Sequence, residues 1–300
     1  AAQKGMKLNE YGLFRGDERL AGADEAEIYA ALGLPVVPPE LREDRGEVEA
    51  ALADRLPRLL EASDIRGDLH VHTTASDGVN TIEEMIAAAR KLGYAYLGIC
   101  DHSKSEIQAN GLDEKRLAEH AGAIRRVAKK HKDIVVLAGV EVDVFKDGSL
   151  DYADEVLAGL DFVTASAHSA LKLGRREATV RLIRASENPH VDCIGHPTGR
   201  IINGRPGMEI DIDEVAAAAA ARGVALEINA HYFRLDLRDT HVRAAIEKGA
   251  RILINTDAHS AEELKLMRYG VTTARRGWAE PKDVLNTRTP RQFLQWLQSR

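Results

Sequence analysis

The sequence predicts a parallel α/β fold closed into a barrel, and three observations carry that expectation. Seven short apolar runs occur at 68–72, 95–100, 134–141, 161–166, 192–195, 224–229 and 251–255, each bounded by polar or glycine residues. Their length and composition are those of strands buried on both faces. Amphipathic helical patterns separate them, so consecutive strands need crossovers and run parallel. Finally, His and acidic residues recur just after the runs, at the rim where parallel barrels build active sites. Closure is the economical arrangement because it leaves no edge strand.

The helices between the runs are individually legible. TIEEMIAAARKLG opens with a capping box, Thr81 with Glu84, and places Ile82, Met85, Ile86 and Ala89 on one face. LDEKRLAEHAGAIRRVAKKH and DIDEVAAAAAARG have the same character. Before the first run lies a small helical or mixed unit. ADEAEIYAALG spaces Ala26, Ile28, Tyr29 and Leu32 as a helix that ends at Gly33, with Pro35 beyond. LPVVPPELRE is extended and proline-rich. A second helix is expected from about 46 to 62, with Leu52, Leu56, Leu59 and Leu60 on its apolar face.

Composition excludes several classes. The chain has 300 residues, 44% hydrophobic and 29% charged, which is ordinary for a globular protein and rules out a disordered or collagen-like chain. No run approaches the length of a membrane span. Cys100 and Cys193 lie in apolar runs and read as buried free thiols, which suits a cytosolic compartment. The chain begins AAQKG, without Met or a signal segment, and so reads as a piece of a longer protein. The net charge of −6 belongs to residues 1–64; the remainder carries 33 basic and 33 acidic residues. Divalent ions added to that neutral part would make its rim attractive to a polyanion.

The chemistry lies in the residues at the strand ends. DLHVH supplies His70 and His72, which share a face at i and i+2 and can reach one ion. The following loop supplies Asp77. ICDH supplies His102, GVEVD supplies Glu141, ASAH supplies His168, IGHP supplies His196, and NTDAH supplies Asp257 and His259. Six of the 11 histidines fall at these positions. Imidazole and carboxylate without thiolate suit Zn, Mn, Fe or Ni. The set is too large for one tetrahedral ion and suffices for two or three bridged by Glu141. Closely spaced divalent ions lower the pKa of bound water to roughly 7 and favour phosphoester hydrolysis.

Other polar residues near that rim are candidates to hold phosphate. Arg200 and Arg205 lie in the loop HPTGRIINGRPG, Lys104 follows His102, and Asn229 ends the sixth run. His231 is a candidate for a substrate or outer role. His120, His131 and His241 read as solvated helical histidines, and His190 falls at the opposite rim. There is no GxSxG, P-loop or GxGxxG, and no helix–turn–helix, zinc-finger or aromatic nucleic-acid signature.

Taken together, DLHVHTTASDG, CDHS, GVEVD, ASAH, GHPTGR and NTDAH resemble the PHP (polymerase and histidinol phosphatase) family over about residues 66–300. The resemblance implies a distorted (β/α)7 TIM-like barrel with a trinuclear metal centre. It implies one ion held by His70, His72, Glu141 and Asp257, a second by Glu141, His168 and His196, and a third by Asp77, His102 and His259. Family members differ at the position of Asp77, where some carry His or Glu, and Asp remains competent. Asp257, Glu141 and His70 would carry the catalytic roles, with Asp257 orienting the attacking hydroxide or taking its proton.

A narrower resemblance lies in KGMKLNEYGLFR and IYAALGLPVVPPELRE, which are similar to the end of the thumb of bacterial family X DNA polymerases. Those enzymes carry a PHP domain just after it. The implied organisation is a thumb-like α+β segment over 1–45, a linker helix over 46–65 and a metal-dependent phosphoesterase over 66–300. The implied activity is a Mn-dependent 3′–5′ exonuclease in DNA repair, with abasic-site cleavage and 3′-phosphatase as side activities. Implied partners are DNA 3′ ends, single-stranded or at a primer terminus, and the palm and fingers of the same full-length protein. Two or three Mn or Zn ions, or Fe, would serve it in the cytoplasm, away from membranes. The palm carboxylates are absent from this sequence, so polymerisation is not expected of it. The alternatives are a small-molecule phosphatase of the histidinol-phosphatase type and a non-catalytic, metal-stabilised scaffold.

Overall fold

Two-residue turns at Glu10–Tyr11 and Gly16–Asp17 open the chain in the computed structural model, which describes residues 1–299. They connect β1 (Lys7–Asn9), β2 (Gly12–Arg15) and β3 (Glu18–Ala21) into an antiparallel sheet. Gly16 takes φ 58°, the left-handed conformation such a tight hairpin requires. Helix α1 (Glu25–Leu32) follows, capped by Asp24, whose carboxylate accepts the Glu27 N–H at 2.9 Å. It stops at Gly33 (φ 70°), as the sequence predicts. The expected second helix is shorter: α2 spans Glu47–Leu52. Asp54 takes φ 52° and Pro57 follows, so the helix cannot reach residue 62, and Leu52 is left exposed. These residues belong to a compact unit, Ala1–Arg58; the remainder, Leu59–Arg300, forms a second.

All seven apolar runs of the second unit are strands. They are β4 (Gly67–Val71), β5 (Tyr96–Ile99), β6 (Val135–Asp143), β7 (Phe162–Ser166), β8 (Cys193–Ile194), β9 (Ala225–Asn229) and β10 (Arg251–Asn255). They pair in sequence order, every pair parallel. Helices α3 (Ile82–Lys91), α4 (Glu114–Ala128), α5 (Asp154–Leu157), α6 (Arg175–Ser186), α7 (Ile212–Arg222) and α8 (Asp239–Glu247) supply the crossovers. Helices α9 (Met267–Arg276) and α10 (Pro290–Ser299) complete the unit. The Thr81–Glu84 capping box is present in both directions.

The two-residue period of the strands sorts the barrel interior into layers. One apolar cluster takes Leu69, Tyr96, Leu137, Phe162, Cys193, Ala225 and Leu253, one residue from each strand, with Phe293 of α10 packed among them. Two residues further along lie Thr164, Glu227 and Asn255, buried and polar. Two further still come Glu141, Asn229 and Asp257. The interior therefore turns from apolar to ionisable toward the C-terminal ends of the strands. Gly195 lacks a side chain for a steric reason: a Cβ there would lie 2.3 Å from Ser166 Oγ. A larger apolar cluster fills the space between the strands and the helices.

Strands β4 and β10 flank the one seam that lacks a continuous ladder. Side chains close it. Asn286 accepts the Ile254 N–H through Oδ1 (2.7 Å) and donates through Nδ2 to Gly67 O (2.9 Å) and Ile254 O (2.8 Å). Asp68 accepts from the Thr256 N–H and hydroxyl, and the His72 N–H donates to Ala258 O at 2.8 Å. Burial raises the Asp68 carboxyl to about 7 despite those donors. Replacing Asn286 with Ala strands three buried backbone groups and is expected to cost about 2–4 kcal/mol. Urea denaturation checks this; a loss under about 0.5 kcal/mol would show that the seam closes without the amide.

Candidate metal centre

At the barrel mouth Glu141, carried by the long strand β6, is buried and surrounded by imidazoles. Its Oε1 lies 2.9 Å from His196 Nε2 and 3.4 Å from both His168 Nε2 and His70 Nε2. Its Oε2 lies 2.8 Å from His102 Nδ1 and 3.8 Å from His72 Nε2. Asp257 Oδ1 stands 3.0 Å from His72 Nε2, and Asp77 Oδ1 stands 3.3 Å from His259 Nε2 and 3.6 Å from His102 Nε2. All nine residues singled out as ligands converge at this rim.

Their grouping differs in part from the expected one. His70, His72, Glu141 and Asp257 place donor atoms within 4.8 Å of one another, as do His72, Asp77, His102 and His259. A further group joins His102, Glu141 and His168, because His102 stands between Glu141 and Asp77. His196 reaches Glu141 from the opposite side of the carboxylate. Glu106, Asp143 and His168 form an additional group that sequence spacing does not suggest.

The side chains fit divalent ions. His70 Nε2, His102 Nδ1 and Glu141 Oε2, which face one another across the centre, are buried without a hydrogen-bond partner. Such orphans are costly unless something is bound to them. His102 Nδ1 and Glu141 Oε2 approach to 2.8 Å without forming a hydrogen bond. Outer partners orient the ring nitrogens: His70 Nδ1–H donates to Glu227 Oε1 at 2.8 Å, leaving the Nε2 lone pair free for a cation.

The electrostatics point the same way. Burial disfavours charge on His168 and His259, yet neighbouring carboxylates override it. Glu141 and Asp143 lift His168 to about 10, and Asp77 and Asp257 lift His259 to about 9. Glu141 and Asp257 are held well below the usual carboxylate range by the imidazoles, against burial. His72 is pushed down to about 4 by burial and by His259 and His102. Protons on His168 and His259 thus carry positive charge that an ion would otherwise bring.

Sequence reasoning missed most of the supporting residues. Glu227, fully buried on β9, holds His70 with one oxygen and the His196 N–H with the other (2.7 Å). An acid in the middle of an apolar run, two residues before Asn229, was the available signal. His120 is not solvated as expected: its Nε2–H donates to Asp101 at 2.7 Å. Asp101 also accepts from Thr73 and Ser76, fixing the loop that carries Asp77. Against burial, those bonds lower its carboxyl to about 2. Arg234 was also missed. Its Nε stands 3.6 Å from Asp257 Oδ2, and it lines the cleft of about 460 Å³ with His231, Phe233 and Glu263.

The four phosphate candidates are placed differently. Asn229 Nδ2 donates to Asp257 Oδ2 at 2.9 Å, so it acts on a carboxylate of the centre. Lys104 turns away to pair with Glu114, and Arg205 donates to Gly199 O at 2.7 Å; neither lines the cleft. Arg200 lines a different cavity, because its guanidinium is drawn to the Arg234 and Leu235 carbonyls. Among the described residues no helix is long and apolar enough to cross a membrane.

A parallel barrel whose C-terminal rim gathers His, Asp and Glu side chains able to hold divalent ions is the architecture of a metal-dependent hydrolase. The chain belongs to the PHP domain family, which it matches over residues 68–231, and residues 1–43 match the DNA polymerase beta thumb. It is 45% identical over 291 residues to a DNA polymerase/3′-5′ exonuclease PolX of Bacillus subtilis, covering 96% of this chain and 51% of that protein. The chain thus spans about half the length of that relative. It is 30% identical over 243 residues to a probable phosphatase of Shewanella sp. (strain MR-4), covering 78% of this chain and 91% of that one. A crystal structure of a Lactococcus lactis histidinol phosphate phosphatase, complexed with zinc, L-histidinol and phosphate, shares the fold. Its TM-score is 0.52 at 17% identity, over 72% of this chain and 95% of that one.

Ion binding is expected to release protons. His168 and His259 are raised above neutrality, so each holds a proton at pH 7 that must leave when its nitrogen binds an ion. Calorimetric titration with Mn in two buffers of different ionisation enthalpy should give at least the two protons of these rings, with a further one from His70, which Glu141, Glu227 and Asp257 raise well above its ordinary value against burial. A buffer-independent enthalpy would refute the assignment of these two rings.

Proposed function

We propose that this chain is the 3′–5′ exonuclease module of a DNA polymerase of the PolX kind, working in the cytoplasm on DNA 3′ ends with two or three Mn or Zn ions. The observation that carries this reading is the joint presence of a polymerase-thumb segment and a barrel rim where His, Asp and Glu side chains able to hold ions cluster. His70, His72, Glu141 and Asp257 would hold one ion, Glu141, His168 and His196 a second, and Asp77, His102 and His259 a third. When bound, divalent ions supply a water of lowered pKa and neutralise phosphoryl oxygens.

The chain's own residues do the rest. Glu227 holds the His70 ring and the His196 backbone in position, and Asn229 holds Asp257. Asp257 can then orient the attacking water and accept its proton. Arg234, at the wall of the cleft, is placed to grip a phosphoryl oxygen through paired N–H donors. Phe233 beside it is 37% exposed and offers a face on which a terminal base can stack. A small-molecule phosphatase would use the same ions and Arg234 but would have no need of that face.

A 3′-labelled oligonucleotide should be shortened stepwise with Mn, and Glu141→Ala should abolish this while far-UV circular dichroism is retained. Arg234→Ala should lower kcat/KM by about 10²–10³-fold. Phe233→Ala should raise KM for the oligonucleotide about tenfold and leave turnover of a small phosphomonoester unchanged. Phosphomonoester turnover with no shortening under Mn, Zn or Mg would favour the phosphatase reading instead. Ion binding that stabilises the fold without turnover of either substrate would favour a scaffold.

A further inference from the structure

A second cavity of about 500 Å³ lies beside the loops that follow β8 and β9, and it is lined by Arg175, Arg200, Arg238 and His241. It shares none of its lining residues with the metal cleft. We propose that this cavity is a separate anion site that receives a phosphate group, and this stands whether or not the metal cleft acts on DNA.

The lining carries unpaired positive charge. Among the described residues neither Arg200 nor Arg238 forms an ion pair; they donate to the Arg234 and Leu235 carbonyls and to His241. Arg175 shares its charge with Asp211 at 2.7 Å. Nearby acids offset only part of this charge: Asp236 and Asp239 act on Arg200, Asp239 is also engaged by Arg276, Glu209 on the wall is exposed, and Arg238 has no carboxylate partner among the described residues.

The His241 ring beside these guanidiniums holds an unmet donor. Arg238 Nη2 donates to His241 Nε2 at 3.0 Å, so the ring proton of the neutral imidazole sits on Nδ1. His241 Nδ1 is buried and has no acceptor. Burial and the Arg238 and Arg200 guanidiniums push His241 down to about 4, so the ring is neutral at pH 7. The neutral ring adds no positive charge of its own, so the charge on this wall is that of the guanidiniums, and the sealed N–H beside them reports any anion they bind. Helices α6, α7 and α8 also begin at this wall, through Arg175, Ile212 and His241, and their N-terminal dipoles favour an anion. Buried Met208 and Ile210 complete the lining and reduce screening of the charges.

Size and position fit a phosphate-bearing ligand as well. The volume exceeds what inorganic phosphate needs and suits a nucleotide or a segment of strand. The cavity and the metal cleft are separated by the loop after β9. Arg200 holds that loop by its Arg234 and Leu235 carbonyls, while the Arg234 side chain faces Asp257.

The test reads the His241 ring protons by NMR on the full chain, assigned with a His241→Gln spectrum. Inorganic phosphate, deoxythymidine monophosphate and a short oligonucleotide without terminal phosphate are titrated in turn. Saturable movement of the His241 signals is expected, weakened about tenfold or more in an Arg175→Ala, Arg238→Ala double variant. Both arginines are exposed, so the variant should keep its circular dichroism. Movement with the oligonucleotide would assign the site to a backbone phosphate, and movement with the mononucleotide alone to a free nucleotide. Signals that do not move with any of the three, or that move equally in the variant, would overturn the proposal.

Discussion

A carboxylate buried to 1% exposure with five imidazole nitrogens within 3.8 Å is the interaction around which the rest of the second unit is arranged. Left alone, Glu141 would be too costly to keep ionised away from water. The surrounding rings keep it charged, and they do so from different strand ends. Asp257, Asp77 and Asp143 then repeat the pattern around it. The result is a set of lone pairs pointed at shared space, which is what a group of divalent ions needs.

Such a set is stable only on a scaffold that satisfies every remaining polar atom it can. The barrel meets this by layering. Its lower interior is apolar and closed by Phe293, and its middle layer holds Glu227, Asn255 and Thr164. Glu227 belongs to both worlds: it binds His70 above and Asn255 within its own layer. Asn255 in turn accepts the Leu69 N–H across the seam. The hydrogen bonds that close the barrel and those that aim the ligands therefore form one connected network.

The loop after β9 occupies a comparable position at the rim. One side of it presents His231, Phe233 and Arg234 to the metal cleft, and its carbonyls are held by Arg200 from the other. Glu263 links the cleft wall to the β10 side, accepting the His259 N–H at 2.7 Å. Arg200, which follows His196 closely in sequence, thus holds this loop from outside the metal cleft, and Arg234, 34 positions later, lines the cleft.

Much of this protein was legible in the residues alone. Strands buried on both faces must be short apolar runs, so all seven were visible, and period-two geometry placed His70 with His72 and every strand-end acid at one rim. The thumb-type resemblance was visible too, because it rests on contiguous sequence. What contiguity could not supply was direction. Lys104 and Arg205 follow the right strands yet turn to Glu114 and to Gly199 O, since long cations take whichever acceptor the fold brings near. His120 lies on a polar helix yet reaches Asp101, and Glu227 stood unremarked in an apolar run until folding set it against His70. The barrel and its inventory of ligand-type side chains could be read from the residues because both depend on local periodicity. Which nitrogen faces which oxygen, and which arginine enters the cleft, depends on groups as distant in sequence as His70 and Asp257, which meet only once the barrel has closed.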